Sequence, residues 1–447
     1  MTLVVQKFGG TSVGTVQRIG TVADRVGARR RQGTDLVVVV SAMKGETDRL
    51  LGLAHGMSER PEPREVDQLV STGEQVSAAL LAIALRSRGI PARSLTANQM
   101  RMRTVGEFSR ARIKSVDRQT VDAALGAGEV VVATGFQGID EGGNVRTLGR
   151  GGSDTSAVAL AAALRADECE IYTDVLGVYT ADPAICPSAR KLDVIAFQEM
   201  MEMASQGSKV LQIRSVELAM NHNVPIRVRA YFSDDPGTLV KKEDDTIERL
   251  VVRGVSHNRD EVKLTLRRVP DRPGVAASIF LALAAKEINV DVIVQNISEA
   301  GTTDLSFTVG RVDRLTAEEI VRDQAKQIGA ERVEVDDTIA KVSIVGVGMR
   351  AHPGVAAAMF EALRRAEVNI QMITTSEIKV TCVIDRAETE RAVCSLHDMF
   401  ELAQGGRKAL PVAKGKVRRA GAKKTASSAT KGAKRPAKRK KARQRRR

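Results

Sequence analysis

The segment Asp35–Ser41 reads Asp-Leu-Val-Val-Val-Val-Ser, five consecutive branched apolar residues with no polar alternation. A strand of that kind has no solvent face, so it belongs inside a sheet covered on both sides. Related runs at Thr2–Lys7, Glu129–Gly135, Glu168–Thr173 and Ile226–Ala230 predict further buried strands. The intervening stretches Val16–Arg30, Val66–Arg88, Ser115–Gly126, Asp154–Ala166 and Lys209–Asn221 carry helical patterns. Strand and helix in alternation predict a three-layer α/β domain with a mostly parallel central sheet, ending near Leu239.

The second half repeats itself at an offset of 80 residues. Pro273-Gly-Val-Ala-Ala277 recurs as Pro353-Gly-Val-Ala-Ala357, and 11 of the 21 positions in Pro273–Ile293 are identical to their counterparts. Two copies of one unit are therefore expected. The first copy reads as strand Val262–Arg268, helix Gly274–Glu287, strands Asp291–Ile297 and Asp304–Val309, helix Ala317–Ile328 and a closing strand near Val333–Val335. That is the ferredoxin-like α+β order. The second copy has no obvious closing strand, which leaves room for strand exchange between the copies. The expected division is a catalytic domain over 1–245, regulatory units over 246–336 and 337–404, and a disordered Lys/Arg-rich tail over 405–447.

Charge supports that division. The whole chain carries +15, yet Arg407–Arg447 holds 19 of the 69 Lys and Arg residues and no Asp or Glu, leaving the preceding residues slightly acidic. The basicity is thus a property of the tail, whose composition cannot bury enough surface to order it. Four cysteines without paired spacing fit neither a disulfide framework nor a structural zinc site, and a reducing cytoplasmic location is expected. No apolar run approaches the roughly 20 residues that span a bilayer, so no membrane is expected. Aromatic residues are only 3% of the chain, which argues against base-stacking platforms for single-stranded nucleic acid.

Several short segments suggest chemistry. Lys7-Phe-Gly-Gly-Thr-Ser12 follows the first strand and precedes the first helix, placing backbone amides, hydroxyls and an ammonium where an anion can sit. Taken alone it is equally a tight turn. Gly149-Arg-Gly-Gly-Ser-Asp-Thr-Ser156 opens another helix, and together the two loops suit one polyphosphate. Asp154 there fits a Mg²⁺-mediated contact or a role in orienting the adjacent amides. Tyr172-Thr-Asp174, Val178-Tyr-Thr-Ala-Asp-Pro183 and Gly207-Ser-Lys209 look like a nucleotide edge, with Lys209 a second cation on the phosphates. Ser71-Thr-Gly-Glu74 interrupts a helical pattern with a glycine that costs about 1 kcal/mol against alanine, so the break has a use, and Glu74 is placed to hold an ammonium. Gly346-Val-Gly348-Met-Arg-Ala351 imitates a dinucleotide fingerprint but lies inside the second repeat and is set aside.

This set of motifs, in this order, closely resembles the aspartate kinases of the amino-acid kinase family. Lys7-Phe-Gly-Gly-Thr-Ser, Val40-Ser-Ala-Met43, Ser71-Thr-Gly-Glu74, Gly149-Arg-Gly-Gly-Ser-Asp, Tyr172-Thr-Asp-Val175, Tyr179-Thr-Ala-Asp-Pro and Gly207-Ser-Lys-Val all match, from about Met1 to Leu402. The doubled repeat is similar to that family's paired ACT domains. The resemblance implies phosphorylation of the β-carboxylate of L-aspartate by ATP, with Mg²⁺ carried on the nucleotide and no metal ligands supplied by the protein. It makes Lys7, Asp154 and Lys209 catalytic. ATP would be bound by Lys7, Phe8, Gly9, Gly10, Ser41 and Ser153, and at its other edge by Thr173, Asp174, Tyr179, Thr180, Ala181, Asp182 and Lys209. Aspartate would meet Thr47, Glu74, Arg150, Gly151, Gly152 and Ser153.

Amino-acid effectors, lysine or threonine or both, are implied at the ACT units. Their candidate contacts in the first copy are Asp271, Pro273, Gly274, Val275, Ala276, Asn289, Asp291 and Gln295. Those in the second are Val355, Asn369, Ile370, Ser376 and Glu377. The resemblance further implies a homo-oligomer formed through the ACT units. The tail is read either as a solubilising segment or as a tether for a polyanion. Rival readings are a uridylate or acetylglutamate kinase, disfavoured by the doubled unit and the Ser-Thr-Gly-Glu segment, and a non-catalytic amino-acid sensor, disfavoured by the presence of Lys7, Asp154 and Lys209.

Overall fold

The computed structural model describes residues 2–205, 210–243, 250–296 and 301–406. The valine-rich runs lie side by side in one eight-stranded sheet, ordered Val194–Ala196, Thr238–Lys241, Ile226–Ala230, Glu168–Thr173, Leu3–Phe8, Asp35–Val40, Val130–Thr134 and Ala92–Leu95. The six strands from Ile226–Ala230 onward are mutually parallel. Thr238–Lys241 folds back antiparallel on Ile226–Ala230 and carries Val194–Ala196 parallel to itself. Packing on both faces explains the continuous apolar run. Leu36, Val38 and Val40 pack against helices Val16–Arg31 and Thr72–Arg86, while Val37 and Val39 pack on the other face against helix Gly152–Leu164, which is backed in turn by Ile213–His222. Full burial of each such side chain contributes roughly 1.5–3 kcal/mol.

Differences from the sequence expectations are local and have physical causes. The expected helix Val66–Arg88 is two helices, Pro63–Val70 and Thr72–Arg86. The break at Ser71 carries Gly73 against Ala42, where a Cβ on the glycine would stand 2.8 Å from the Ala42 Cβ. By count this apolar stretch is long enough to cross a bilayer, but half of it is buried within the protein. The helix expected from Ser115 starts at Gln119, since Arg112–Ser115 is a strand of a small second sheet with Arg103–Val105, Gln137–Ile139 and Val145–Thr147. The helix expected from Lys209 is observed as Ile213–His222, and Lys209 itself lies outside the described residues.

The repeats form two four-stranded sheets. The first is ordered Val290–Gln295, Thr302–Gly310, Glu261–Pro270 and Arg332–Asp336, backed by helices Val275–Ala284 and Arg314–Ile328. Ile297, expected at the end of its second strand, lies outside the described residues. The second sheet is ordered Gly254–Asn258, Ile339–Val345, Lys379–Asp385 and Met372–Thr375, backed by helices Val355–Arg365 and Thr389–Met399. Its missing closing strand is thus Gly254–Asn258, which precedes the first repeat in sequence and pairs antiparallel with Ile339–Val345. The first repeat is inserted between two strands of the second. The glycines of the set-aside fingerprint serve packing: a Cβ on Gly348 would stand 2.3 Å from the Leu250 carbonyl oxygen. The tail, residues 407–447, lies outside the described residues.

Candidate active site

The parallel strands Leu3–Phe8, Asp35–Val40, Val130–Thr134 and Glu168–Thr173 all end on one edge of the sheet, where open α/β folds bind their ligands. Lys7 projects there from the first strand, and its Nζ lies 2.6 Å from Asp154 Oδ1 in the first turn of helix Gly152–Leu164. Both side chains are largely shielded from solvent. Asp154 therefore holds the Lys7 ammonium in place, a role neither expected alternative described. A Cβ on Gly9 would crowd Lys7 Nζ at 3.3 Å, and one on Gly10 would stand 2.8 Å from the Ala42 carbonyl oxygen. The Gly9–Ser12 segment is a turn of its own, closed by Ser12 N–H donating to the Gly9 carbonyl. The following helix begins only at Val16, capped by Thr15, so the expected helix N-terminus is not at this loop.

The second glycine loop is placed as expected. Helix Gly152–Leu164 starts directly after Gly151, with Gly149 and Gly151 both at positive φ. Arg150 stands exposed between them, while Gly152 and Ser153 are buried. Ser153 faces Gly135, just past strand Val130–Thr134, where a Cβ on the glycine would come within 2.8 Å of the serine hydroxyl. Ser41 continues the strand ladder, its N–H donating to the Phe8 carbonyl at 3.1 Å. Phe8 itself is turned into the core, stacked on Tyr172 with centroids 4.5 Å apart.

Glu74 is 3% exposed. Its Oε1 accepts from Ala42 N–H at 2.9 Å, and its buried Oε2 has no partner among the described residues. Burial pushes its carboxyl up to about 7, against the opposing effect of the Ala42 amide. A Cβ on the neighbouring Gly73 would stand 3.5 Å from Glu46 Cγ, and Thr47, one residue on, is half-buried. Sequence reasoning missed Asp67. Fully buried, it accepts four hydrogen bonds of 2.8 Å, from the backbone N–H and the hydroxyl of both Ser109 and Thr147. It thereby anchors the strand that runs into Gly149 and Arg150. The only signal in the sequence is an acidic residue on an otherwise apolar helix face.

At the expected nucleotide edge, Thr173 donates its hydroxyl to Asp174 at 3.1 Å, and Tyr179 and Asp182 line a cleft of about 440 Å³ with Met203, Val210 and Val255. Between them, Thr180 turns elsewhere: it is buried, with its hydroxyl 2.9 Å from His397 Nε2. Ala181 edges the cleft while also packing into the apolar core of the second repeat. Lys209, the expected second cation, lies outside the described residues. Among the described residues no group of three or more His, Cys, Asp or Glu side chains gathers to hold a metal. A Mg²⁺ near Asp154 would draw its other ligands from phosphate and water, the usual donor set of that ion.

In the first repeat, Asp271, Pro273, Gly274, Val275, Ala276 and Gln295 gather in one cleft of about 380 Å³. Gly274 has φ of 93° and open space around it, so its glycine answers to conformation. Asp291 does not join them: it pairs with Lys341 of the second repeat, which also meets Glu261 at 2.7 Å. Asn289 is exposed before that strand. In the second repeat Val355 is core, Ile370 half-buried, Asn369 and Ser376 exposed, and Glu377 pairs with Arg350 at 2.9 Å.

Residues 2–230 match the model of the amino acid kinase family, and 267–324 and 342–400 match the ACT domain. The aspartokinase of Pseudomonas aeruginosa is 58% identical over 404 residues, covering 90% of this chain and 98% of that protein. The crystal structure of E. coli aspartokinase III with aspartate and ADP, in the R-state, aligns with a TM-score of 0.73 at 28% identity over 89% of this chain and 100% of that one. The same enzyme with lysine and aspartate, in the T-state, gives 0.72 at 28% identity, over 89% of this chain and 99% of that one. With both the glycine-loop site and the doubled regulatory unit in the expected order, the chain belongs to the aspartokinases of the amino acid kinase family.

Proposed function

We propose that the chain transfers the γ-phosphoryl group of ATP to the β-carboxylate of L-aspartate, giving 4-phospho-L-aspartate, the activated precursor of lysine, threonine and methionine. The observation that carries this reading is the Lys7–Asp154 pair between two glycine loops, next to a buried Glu74 with one unpartnered oxygen. An α-ammonium is the natural partner for that oxygen, and Arg150 can fork onto the α-carboxylate, with Thr47, Gly151, Gly152 and Ser153 completing the aspartate site. ATP is held by Lys7, Phe8, Gly9, Gly10, Ser41, Ser153 and Lys209 at its phosphates and by Thr173, Asp174, Tyr179, Ala181 and Asp182 beyond them.

The acceptor needs no general base. With a pKa of about 3.9 the β-carboxylate is an anion at neutral pH. One of its oxygens attacks the γ-phosphorus, the bond to the bridging oxygen breaks, and ADP leaves with the electron pair. The obstacle is repulsion between anions, which Lys7 and Lys209 offset where charge develops. Bound Mg²⁺ supplies further charge neutralisation on the phosphates. Asp154 keeps the Lys7 ammonium aimed before the nucleotide arrives.

Feedback by lysine, threonine or both acts through the first-repeat cleft around Asp271 and Gln295, in a homo-oligomer assembled through the repeats. The E. coli relative solved with lysine supports this reading. We place the enzyme in the cytoplasm, with catalytic residues 1–245, regulatory residues 246–404 and a basic tail that tethers a polyanion. Retention of the full chain on heparin at low salt, lost on truncation after Gly406, is the expected signature of that tail. A hydroxamate assay with ATP, Mg²⁺ and aspartate tests the activity: aspartyl hydroxamate must accumulate, and its absence would refute the reading.

A further inference from the structure

The second repeat meets the catalytic domain at the loop that carries Thr180. Val255 N–H, on the strand that closes the second regulatory sheet, donates to the Thr180 carbonyl at 2.7 Å. The Thr180 hydroxyl lies 2.9 Å from His397 Nε2, on the helix Thr389–Met399 behind that sheet. His397 Nδ1 lies 3.3 Å from Ser188 Oγ, and the Cys394 thiol donates to the Ile185 carbonyl at 3.4 Å. Thr180 Oγ1 already accepts from Arg190 N–H at 2.9 Å, so its own proton is available to His397 Nε2, leaving the Nδ1 proton for Ser188. His397 is fully buried, and burial pushes its pKa down, in keeping with a neutral ring that uses both nitrogens.

Both neighbours of Thr180 in sequence, Tyr179 and Ala181, line the nucleotide-edge cleft, and Val255 lines it from the regulatory side. Met203, which also lines that cleft, lies on helix Phe197–Ser205, and that helix is tied to the same repeat at other positions: Glu199 accepts from Val347 N–H at 3.1 Å, and Glu202 pairs with Lys379 at 2.8 Å. A buried hydrogen-bond network of this kind fixes position more than it adds stability.

We infer that His397, a residue of the second regulatory repeat, is a positioning residue of the phosphoryl-transfer site: through the Thr180 hydroxyl it sets the Tyr179–Asp182 segment and hence the affinity for the nucleotide. This rests on the aspartate-kinase reading for the assignment of the Tyr179–Asp182 segment to the nucleotide as well as for the identity of the acceptor. The consequence is a division of labour in which the second repeat governs ATP binding and leaves aspartate binding alone.

The test uses the full chain with His397→Leu, His397→Gln and Thr180→Val, each measured for ATP affinity by calorimetry and for the KM of ATP and of aspartate. His397→Leu and Thr180→Val should each weaken ATP binding about tenfold, the loss of one buried hydrogen bond, with the aspartate KM unchanged within about twofold. Glutamine returns a polar group to Thr180, so His397→Gln should recover most of the affinity. The Thr180→Val/His397→Leu double variant should lose less than the sum of the two single losses, since both remove the shared Thr180–His397 contact. ATP affinity left intact in both Thr180→Val and His397→Leu, or both KM values rising together, would overturn the inference. Calorimetry with ATP reads it without any acceptor, so a failure here is distinct from a failure of the hydroxamate assay.

Discussion

Replacing Glu74 with glutamine separates the substrate site from the nucleotide site. Burial raises the Glu74 carboxyl from an ordinary 4.5 to about 7. Pairing with an ammonium requires the ionised form, whose share is about nine-tenths at pH 8 and about one-tenth at pH 6. The apparent KM for aspartate should therefore rise about tenfold as pH falls from 8 to 6. Glu74→Gln should remove that slope and leave a high, flat KM. The same shift has a stability consequence. Because the folded value exceeds the unfolded one, the native state keeps a proton between pH 4.5 and about 7 that the unfolded chain has lost, and stability falls as pH rises through that window. The cost above pH 7 is on the order of 3 kcal/mol. Glu74→Gln should accordingly raise Tm at pH 8 but not at pH 4. The assay is steady-state hydroxamate formation from pH 6 to 8, with ATP affinity by calorimetry alongside. A slope that survives in Glu74→Gln, or ATP affinity that falls with aspartate affinity, would refute the assignment.

Three further outcomes are expected. Lys7→Met should lower kcat by about 10²-fold or more, since its charge acts where negative charge develops; a variant keeping most of its kcat would contradict that role. Asp67→Asn replaces one acceptor oxygen by a donor facing Ser109 and Thr147, so it should lower Tm and raise the aspartate KM more than the ATP KM, read from melting curves and steady-state kinetics. Gln295→Ala should raise the concentration of lysine or threonine needed for half-inhibition, read from activity titrations with each amino acid; an unchanged titration would remove Gln295 from the effector cleft.

The central sheet is legible in the sequence because Asp35–Val40 and Val130–Thr134 are buried on both faces and so spell continuous apolar runs. Strands of three residues, such as Arg103–Val105 and Val194–Ala196, are too short to show any period. The closing strand Gly254–Asn258 is hidden for a different reason: its partner Ile339–Val345 lies some eighty residues away, and its sequence, Gly-Val-Ser-His-Asn, carries little strand propensity. The site is legible in its glycine loops and its ionisable groups. The place of Thr180 is not, because one side chain in a motif can be claimed by a distant helix that no local pattern announces. Asp67 escapes because a buried carboxylate that only accepts backbone and hydroxyl protons looks, in sequence, like a solvated one.

The central claim is transfer of a phosphoryl group to one particular carboxylate. Trapping the product with borohydride decides it, because reduction of a β-acyl phosphate gives homoserine, whereas reduction at the α-carboxyl gives 3-amino-4-hydroxybutanoate. The full chain incubated with ATP, Mg²⁺ and aspartate and then reduced should yield homoserine in step with ADP. ADP released without homoserine, or the α-reduced isomer in its place, would contradict the account.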